Sequence, residues 1–103
     1  VMIKEAYKSG FLHQVYGSHI KWILPNAPII PITVYGWYPG RAWYDLAVDY
    51  NSRNWNNADP PRFFKSMKRL YKLIDAEIAN GTPAENIILM GNSQGANVCI
   101  GVA

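Results

Sequence analysis

One cysteine, Cys99, stands in 103 residues, so no disulfide can form within the chain. That fits a reducing, cytoplasmic setting, with the thiol packed as a small hydrophobe. No stretch approaches the roughly 20 apolar residues that cross a bilayer, and the start lacks the charged-then-apolar pattern of a signal peptide. Ten basic and seven acidic side chains leave a net charge of +3. They form no tract of the kind that marks a nucleic-acid arm, so nucleic acid is not expected as a partner. No Cys/His spacing points to zinc and no carboxylate pattern points to calcium, and neither metal nor cofactor is expected. After Ser93 there is neither Asp nor His.

What is present is apolar and aromatic. Hydrophobic residues make up 50% of the chain, with seven Tyr and four Trp, which predicts a packed globular core and argues against disorder. So large an aromatic load in a short chain is expected to bury part of its surface against protein that this chain does not contain. The chain starts at Val1 and ends in Val98-Cys99-Ile100-Gly101-Val102-Ala103 with no polar cap. Both ends read as cut, so that residues 1–103 are expected to be the central fragment of a single domain.

Residues 4–16 place Ala6, Tyr7, Phe11, Leu12, Val15 and Tyr16 at mixed helical spacing, a helix interrupted by Gly10. Residues 20–24 are short, β-branched and aromatic and stop at Pro25, which reads as a strand. From there to Pro61 the chain carries six of its seven prolines and shows no sustained period. This is a long excursion with one extended piece over 29–34, and a candidate wall for a substrate groove, because ordering a long loop costs entropy that contacts or function must offset. The clearest helix follows. Asp59 is its N-cap, Pro60 and Pro61 lie in its first turn, Phe63, Met67, Leu70, Ile74 and Ile78 form one stripe, and Asn80-Gly81 closes it. Lys65, Lys68, Arg69 and Lys72 gather on its other side, read as a solvated face, with weak contact to an anionic membrane surface as the other use. The unbroken apolar run at 87–90 reads as a strand buried on both faces, as in a parallel sheet. Strand, helix, strand is βαβ logic.

That strand runs straight into Gly91-Asn92-Ser93-Gln94-Gly95, followed by small residues that can continue as a helix. This is the strand, turn, helix context in which a G-x-S-x-G serine acts as a nucleophile. The turn is so tight that glycine-sized residues are expected beside it, at Gly91 and Gly95. At a helix N-terminus, free backbone N–H groups and the positive dipole end face the reacting carbonyl. The Gln94 N–H is expected to be one of two oxyanion-hole donors, and its side chain is not needed for that role. The competing reading is a glycine-rich turn that packs tightly or binds phosphate. Neither a G-x-G-x-x-G run nor a G-K-[ST] ending is present to support it.

His13 and His19 as base and Asp45 or Asp49 as acid would complete a triad, which is recognised by geometry and not by sequence order. The blander reading is preferred: His13 on a helix surface, His19 at a strand entrance, and Asp45 bonded to backbone in its turn-rich loop. Among Trp37, Tyr38, Trp43 and Tyr44, which can serve groove or core alike, Trp43 and Tyr44 are taken with Asn92 as groove candidates.

From about Gly10 to Ala103 the chain resembles the acyl-protein thioesterase group of the phospholipase/carboxylesterase family. Ser18-His19-Ile20-Lys21-Trp22 with Pro25-Asn26-Ala27-Pro28 is similar to a family strand and its Pro-x-Ala-Pro exit. Ala42-Trp43-Tyr44-Asp45 resembles the family's Ser-Trp-aromatic-Asp segment, and Leu73-Ile74-Asp75-Ala76-Glu77 with Asn80-Gly81 resembles the end of the helix before the turn. Ser93-Gln94-Gly95 matches the family's Phe-Ser-Gln-Gly except at Asn92, where an aromatic is usual, and Ala96 replaces a common second glycine. The resemblance implies an α/β-hydrolase fold, here partial: a mostly parallel sheet with flanking helices. It implies a serine hydrolase of carboxylic esters or thioesters, acting on small-molecule or lipid esters or on acylated proteins. Its Ser, Asp, His triad would run in that chain order, with acid and base beyond Ala103, and the family's His-Gly loop for the second oxyanion donor would precede this chain. The altered lining at Asn92 and Ala96 favours generic ester hydrolysis over long acyl chains. Without its acid and base the 103-residue chain by itself is expected to be inactive, and a non-catalytic lipid- or protein-binding fragment is the alternative reading.

Overall fold

The computed structural model describes residues 19–46 and 59–103. The helix expected over 4–16, His13 and Asp49 lie outside them. Within them the order is strand β1 (Ile29–Ile32), strand β2 (Tyr38–Arg41), helix α1 (Pro60–Ala79) and helix α2 (Gln94–Val102), with single 3₁₀ turns at Thr33–Tyr35 and Ala84–Asn86.

The excursion holds more order than its prolines predict. β1 and β2 form an antiparallel hairpin in which Pro31 stands opposite Pro39. Two prolines can face each other only at a position where neither N–H is asked for, so the pairing loses no ladder bond. Ala42 N–H extends the ladder by donating to Pro28 O at 3.0 Å. The chain reverses through the 3₁₀ turn and Gly36, whose φ of 63° is open to glycine at no steric cost. Trp37 follows at φ 68°, held by its N–H to Ile32 O at 3.0 Å. Alternation along β1 buries Ile30 and Ile32 with Ala42 as a small cluster. Tyr35, Trp37 and Tyr38 stand exposed at the hairpin tip, so among the described residues Trp37 and Tyr38 join neither core nor groove.

α1 starts and stops where local chemistry says it should. The Asp59 carboxylate accepts from Arg62 N–H and pairs with the Arg62 guanidinium at 2.8 Å, and Pro60 and Pro61 fill positions whose N–H would have had no helical partner. Asn80 caps the other end. Of the apolar stripe, Phe63, Met67, Leu70 and Ile74 pack in the main cluster, while Ile78 is exposed. The Asp59 carboxyl is pushed up by partial burial, but the Arg62 guanidinium together with the Asp45 and Arg62 N–H groups outweighs this and holds it below its ordinary value. A depressed folded-state pKa means the stabilisation is full above the ordinary carboxylate range, about pH 4, and is lost as pH falls through the folded value. Asp59→Ala is therefore expected to cost about 1 kcal/mol near neutral pH. The gap to wild type should close in urea unfolding below about pH 4, whereas an Asp59→Ala penalty that is the same at pH 3 and pH 7 would contradict the cap.

The principal core is Tyr44, Leu70, Val98 and Val102, joined by Trp43, Leu46, Phe63, Met67, Ile74, Leu89 and Cys99. Tyr44 meets Phe63 edge-to-face at 5.5 Å between ring centroids, a favoured aromatic geometry. Cys99 sits in this cluster as a half-buried thiol, the packing role expected of it. Lys65, Lys68, Arg69 and Lys72 of α1 are all exposed, and Arg69 spends one N–H on Asn26 O at 2.7 Å.

Two strand expectations do not hold among the described residues. Residues 20–24 and 87–90 carry no sheet pairing, and the one sheet is the antiparallel hairpin instead of a parallel one. Residues 87–90 alternate: Leu89 packs on the core while Ile88 is 83% and Met90 69% exposed. A parallel strand needs neighbours to take its hydrogen bonds and cover both faces, and no described strand lies beside this one. The expected burial on both faces is therefore not met among the described residues. One face is covered here.

Candidate active site

The turn between residue 90 and α2 is built by three local facts. Ser93 lies at φ 53° and ψ −122°, a region that costs a non-glycine residue about 1–3 kcal/mol and that persists only where surroundings impose it. Gly91 is one such surrounding: a Cβ there would collide with the Gly95 carbonyl oxygen and lie 2.5 Å from the Ala96 nitrogen. The first helical bonds supply the rest, Gly95 N–H to Asn92 O at 2.9 Å and Ala96 N–H to Ser93 O at 3.0 Å. Gly95 itself is less confined than expected, since a Cβ there would meet only Trp43 Nε1, at an ordinary 3.6 Å. Glycine is thus required on the strand side of the turn, and on the helix side nothing among the described residues demands it.

Two groups at this turn are left open for chemistry. Ser93 is the N-cap residue of α2 yet makes no side-chain capping bond, and it is exposed. The Gln94 N–H, in the first turn of α2, takes no hydrogen-bond partner among the described residues. A hydroxyl beside an unengaged N–H at the positive end of a helix can attack a carbonyl and hold the oxyanion that results.

A cavity of ≈310 Å³ opens at Ser93, with Asn92, Trp43, Leu46 and the hairpin residues Ile32 and Tyr35 in its wall. A second, of ≈350 Å³, lies on the other side of Trp43 and Asn92, towards Leu24, Met90 and Cys99. Of the groove candidates, Trp43 and Asn92 therefore line both. Tyr44 is 8% exposed, inside the core, and lines neither cavity.

Tyr44 nevertheless belongs to the scaffold of the site. The Gln94 side chain accepts from Trp43 N–H at 3.1 Å and donates to Tyr44 O at 2.9 Å. Asn97 Nδ2 donates to Tyr44 Oη at 2.8 Å, and Ser66 Oγ on α1 donates to Trp43 O at 2.6 Å. The Arg69 guanidinium stands 6.0 Å from the Trp43 ring centroid, within cation–π range. These partners are 23 to 53 residues from the segment they hold, and no spacing rule in a single sequence exposes such pairs.

The carboxylate of Asp45, buried at 7% exposure, accepts from both the N–H and the Oγ1 of Thr33, and Asp45 N–H donates to Asp59 Oδ2 at 3.1 Å. It ties the hairpin to the start of α1, in line with the blander reading of this residue. His19 is exposed. Among the described residues no cluster of His, Cys, Asp or Glu could hold a metal ion, and no helix is long and apolar enough to cross a membrane.

A model of the phospholipase/carboxylesterase family matches residues 8–103. The chain is 43% identical over 83 residues to acyl-protein thioesterase 1 of Schizosaccharomyces pombe, covering 81% of this chain and 36% of that protein. It is 46% identical over 78 residues to an acyl-protein thioesterase 1 homologue of Dictyostelium discoideum, covering 76% and 34%. To a carboxylesterase of Arabidopsis thaliana it is 32% identical over 93 residues, covering 90% and 38%. The chain thus spans about a third of the length of these curated relatives. No solved structure matches it.

Proposed function

The chain belongs to the phospholipase/carboxylesterase family of α/β-hydrolases, and from that membership we propose that the whole protein carrying it hydrolyses carboxylic esters or thioesters through an acyl-enzyme on Ser93. Lipid-derived esters and acylated proteins are the substrate classes, the latter favoured by the names of the thioesterase relatives. The single observation that carries the reading is the turn at Ser93. A non-glycine residue is held at positive φ beside a glycine whose Cβ would strike backbone, and among the described residues its hydroxyl makes no capping bond and the next N–H is unengaged.

In this mechanism Ser93 Oγ forms a bond to the acyl carbonyl carbon as its proton passes to a histidine base. That base, and the carboxylate that orients it, follow Ser93 in the family's chain order and lie beyond Ala103. The carbonyl electron pair moves onto oxygen, and the oxyanion is held by the Gln94 N–H and a second donor. The tetrahedral species collapses, the bond to the leaving alcohol or thiol breaks, and the base returns its proton to that group. Water, deprotonated by the same base, then attacks the acyl-enzyme and releases the carboxylic acid with Ser93 restored.

Mixing the whole protein with p-nitrophenyl acetate should give a burst of p-nitrophenol equal to the enzyme present, followed by slower turnover, the kinetic mark of an acyl-enzyme. The 103-residue chain alone should give no turnover. Absence of both burst and turnover from the whole protein would contradict the proposal.

A further inference from the structure

The side chain of Gln94 has no part in the mechanism above, yet it is the most specifically bonded group at the site. Its Oε1 accepts from Trp43 N–H at 3.1 Å and its Nε2 donates to Tyr44 O at 2.9 Å. A primary amide used in this way satisfies one donor and one acceptor of the 43–44 backbone, as a neighbouring strand would. The segment it holds carries Trp43, which lines the cavity opening at Ser93. The same residue therefore offers its backbone N–H to the reacting centre and fixes, through its side chain, the wall beside that centre.

The other fastenings of the segment act elsewhere on it. Ser66 Oγ holds the Trp43 carbonyl, Asn97 holds the Tyr44 hydroxyl, and Asp45 leads into the hairpin through Thr33. Among the described residues only Gln94 connects the backbone at Trp43 directly to the first turn of α2, where Ser93 is the N-cap. A wall tied to the nucleophile's own turn keeps its distance from the nucleophile when other parts shift. An acyl chain in the cavity then meets Trp43 at a set depth, while an acetyl group, which does not reach past the carbonyl carbon's first neighbour, gains little from it.

We infer that the Gln94 side chain is a positioning residue for acyl selectivity: by clamping the Trp43 and Tyr44 backbone to the first turn of α2 it sets the wall against which longer acyl groups bind. The inference rests on the hydrolase reading above for its catalytic part, and on the hydrogen bonds alone for its structural part.

The test compares the whole protein with its Gln94→Met variant, which keeps length and loses both bonds, and with Gln94→Glu, which keeps the acceptor for Trp43 N–H and loses the donor to Tyr44 O. Hydrogen exchange at the Trp43 amide needs no catalysis. It should run about 10-fold faster in Gln94→Met and near the wild-type rate in Gln94→Glu. The ratio of kcat/KM for p-nitrophenyl octanoate to that for the acetate should fall about 10-fold in Gln94→Met, with most of the change in KM for the octanoate, and by less in Gln94→Glu. A Trp43 amide that exchanges no faster in Gln94→Met overturns the clamp, whatever the esters show. Equal losses on the two esters overturn its role in selectivity, because a general structural or oxyanion defect acts on both. A wild-type protein that hydrolyses neither ester would count against the hydrolase reading, and the exchange rate would still decide the clamp.

Discussion

Ser93→Ala in the whole protein is expected to lower ester hydrolysis by at least about 10⁴-fold, the scale on which removing a nucleophile that acts as a unit with its base disables a serine hydrolase. Substrate binding should change little, because Ser93 is one small part of a cavity wall that Trp43, Asn92, Leu46 and the hairpin also make. A companion variant separates chemistry from strain. Glycine can adopt φ 53°, ψ −122° without a Cβ penalty, so Ser93→Gly should be equally inactive yet more stable than Ser93→Ala by about 1 kcal/mol in urea unfolding. Activity within about 10-fold of wild type in either variant would remove Ser93 from the mechanism.

The second large effect is expected at Gly91, which does no chemistry. A methyl group there collides with the Gly95 carbonyl and the Ala96 nitrogen, both backbone atoms that no rotamer change can move aside. Relief must come from opening the turn, which shifts Ser93 and the Gln94 N–H together. Gly91→Ala should cost about 3 kcal/mol of stability. It should slow reaction of Ser93 with a fluorophosphonate by about 10²-fold, since a displacement on the order of 1 Å from attack geometry has that effect. Gly95→Ala is the control. Its Cβ would rest 3.6 Å from Trp43 Nε1, an ordinary contact, and its penalty should be well under half that of Gly91→Ala.

How much of this is legible in one sequence depends on how local the cause is. The N-cap Asp59, the two prolines after it and the stripe from Phe63 to Ile74 predict α1 nearly to the residue, because capping and helical period act within one or two turns. The G-x-S-x-G turn is readable for the same reason. The parallel sheet is the opposite case. An apolar run at 87–90 says that burial is intended, but whether it pairs depends on strands far away in sequence, and none is present among the described residues. Of the hairpin, the extended piece over 29–34 is legible and its partner strand is hidden: Pro31 and Pro39 argue against pairing one at a time and are harmless only as a facing pair. Tyr44 shows a similar limit. An aromatic beside Trp43 fits groove or core equally well in sequence, and only the Asn97 and Gln94 bonds reveal it as the buried support of the wall and not its surface.

The electrostatics of the described site are spare. The Asp59 carboxylate, held below its ordinary value, serves the α1 cap and the Asp45 backbone, and buried Asp45 is occupied by Thr33. Neither is free to orient a base. On the proposed mechanism the proton acceptor for Ser93 comes from outside the described residues, in the Ser, Asp, His chain order that the family resemblance implies.

The central claim is that the strained turn delivers Ser93 as the nucleophile. Fluorophosphonate treatment of the whole protein, followed by proteolysis and mass mapping of the adduct, tests it most directly. The account predicts a single adduct on the peptide containing Gly91-Asn92-Ser93-Gln94-Gly95, at Ser93, formed stoichiometrically and absent after denaturation in urea. An adduct on any other residue, or none on native protein that hydrolyses esters, would contradict it.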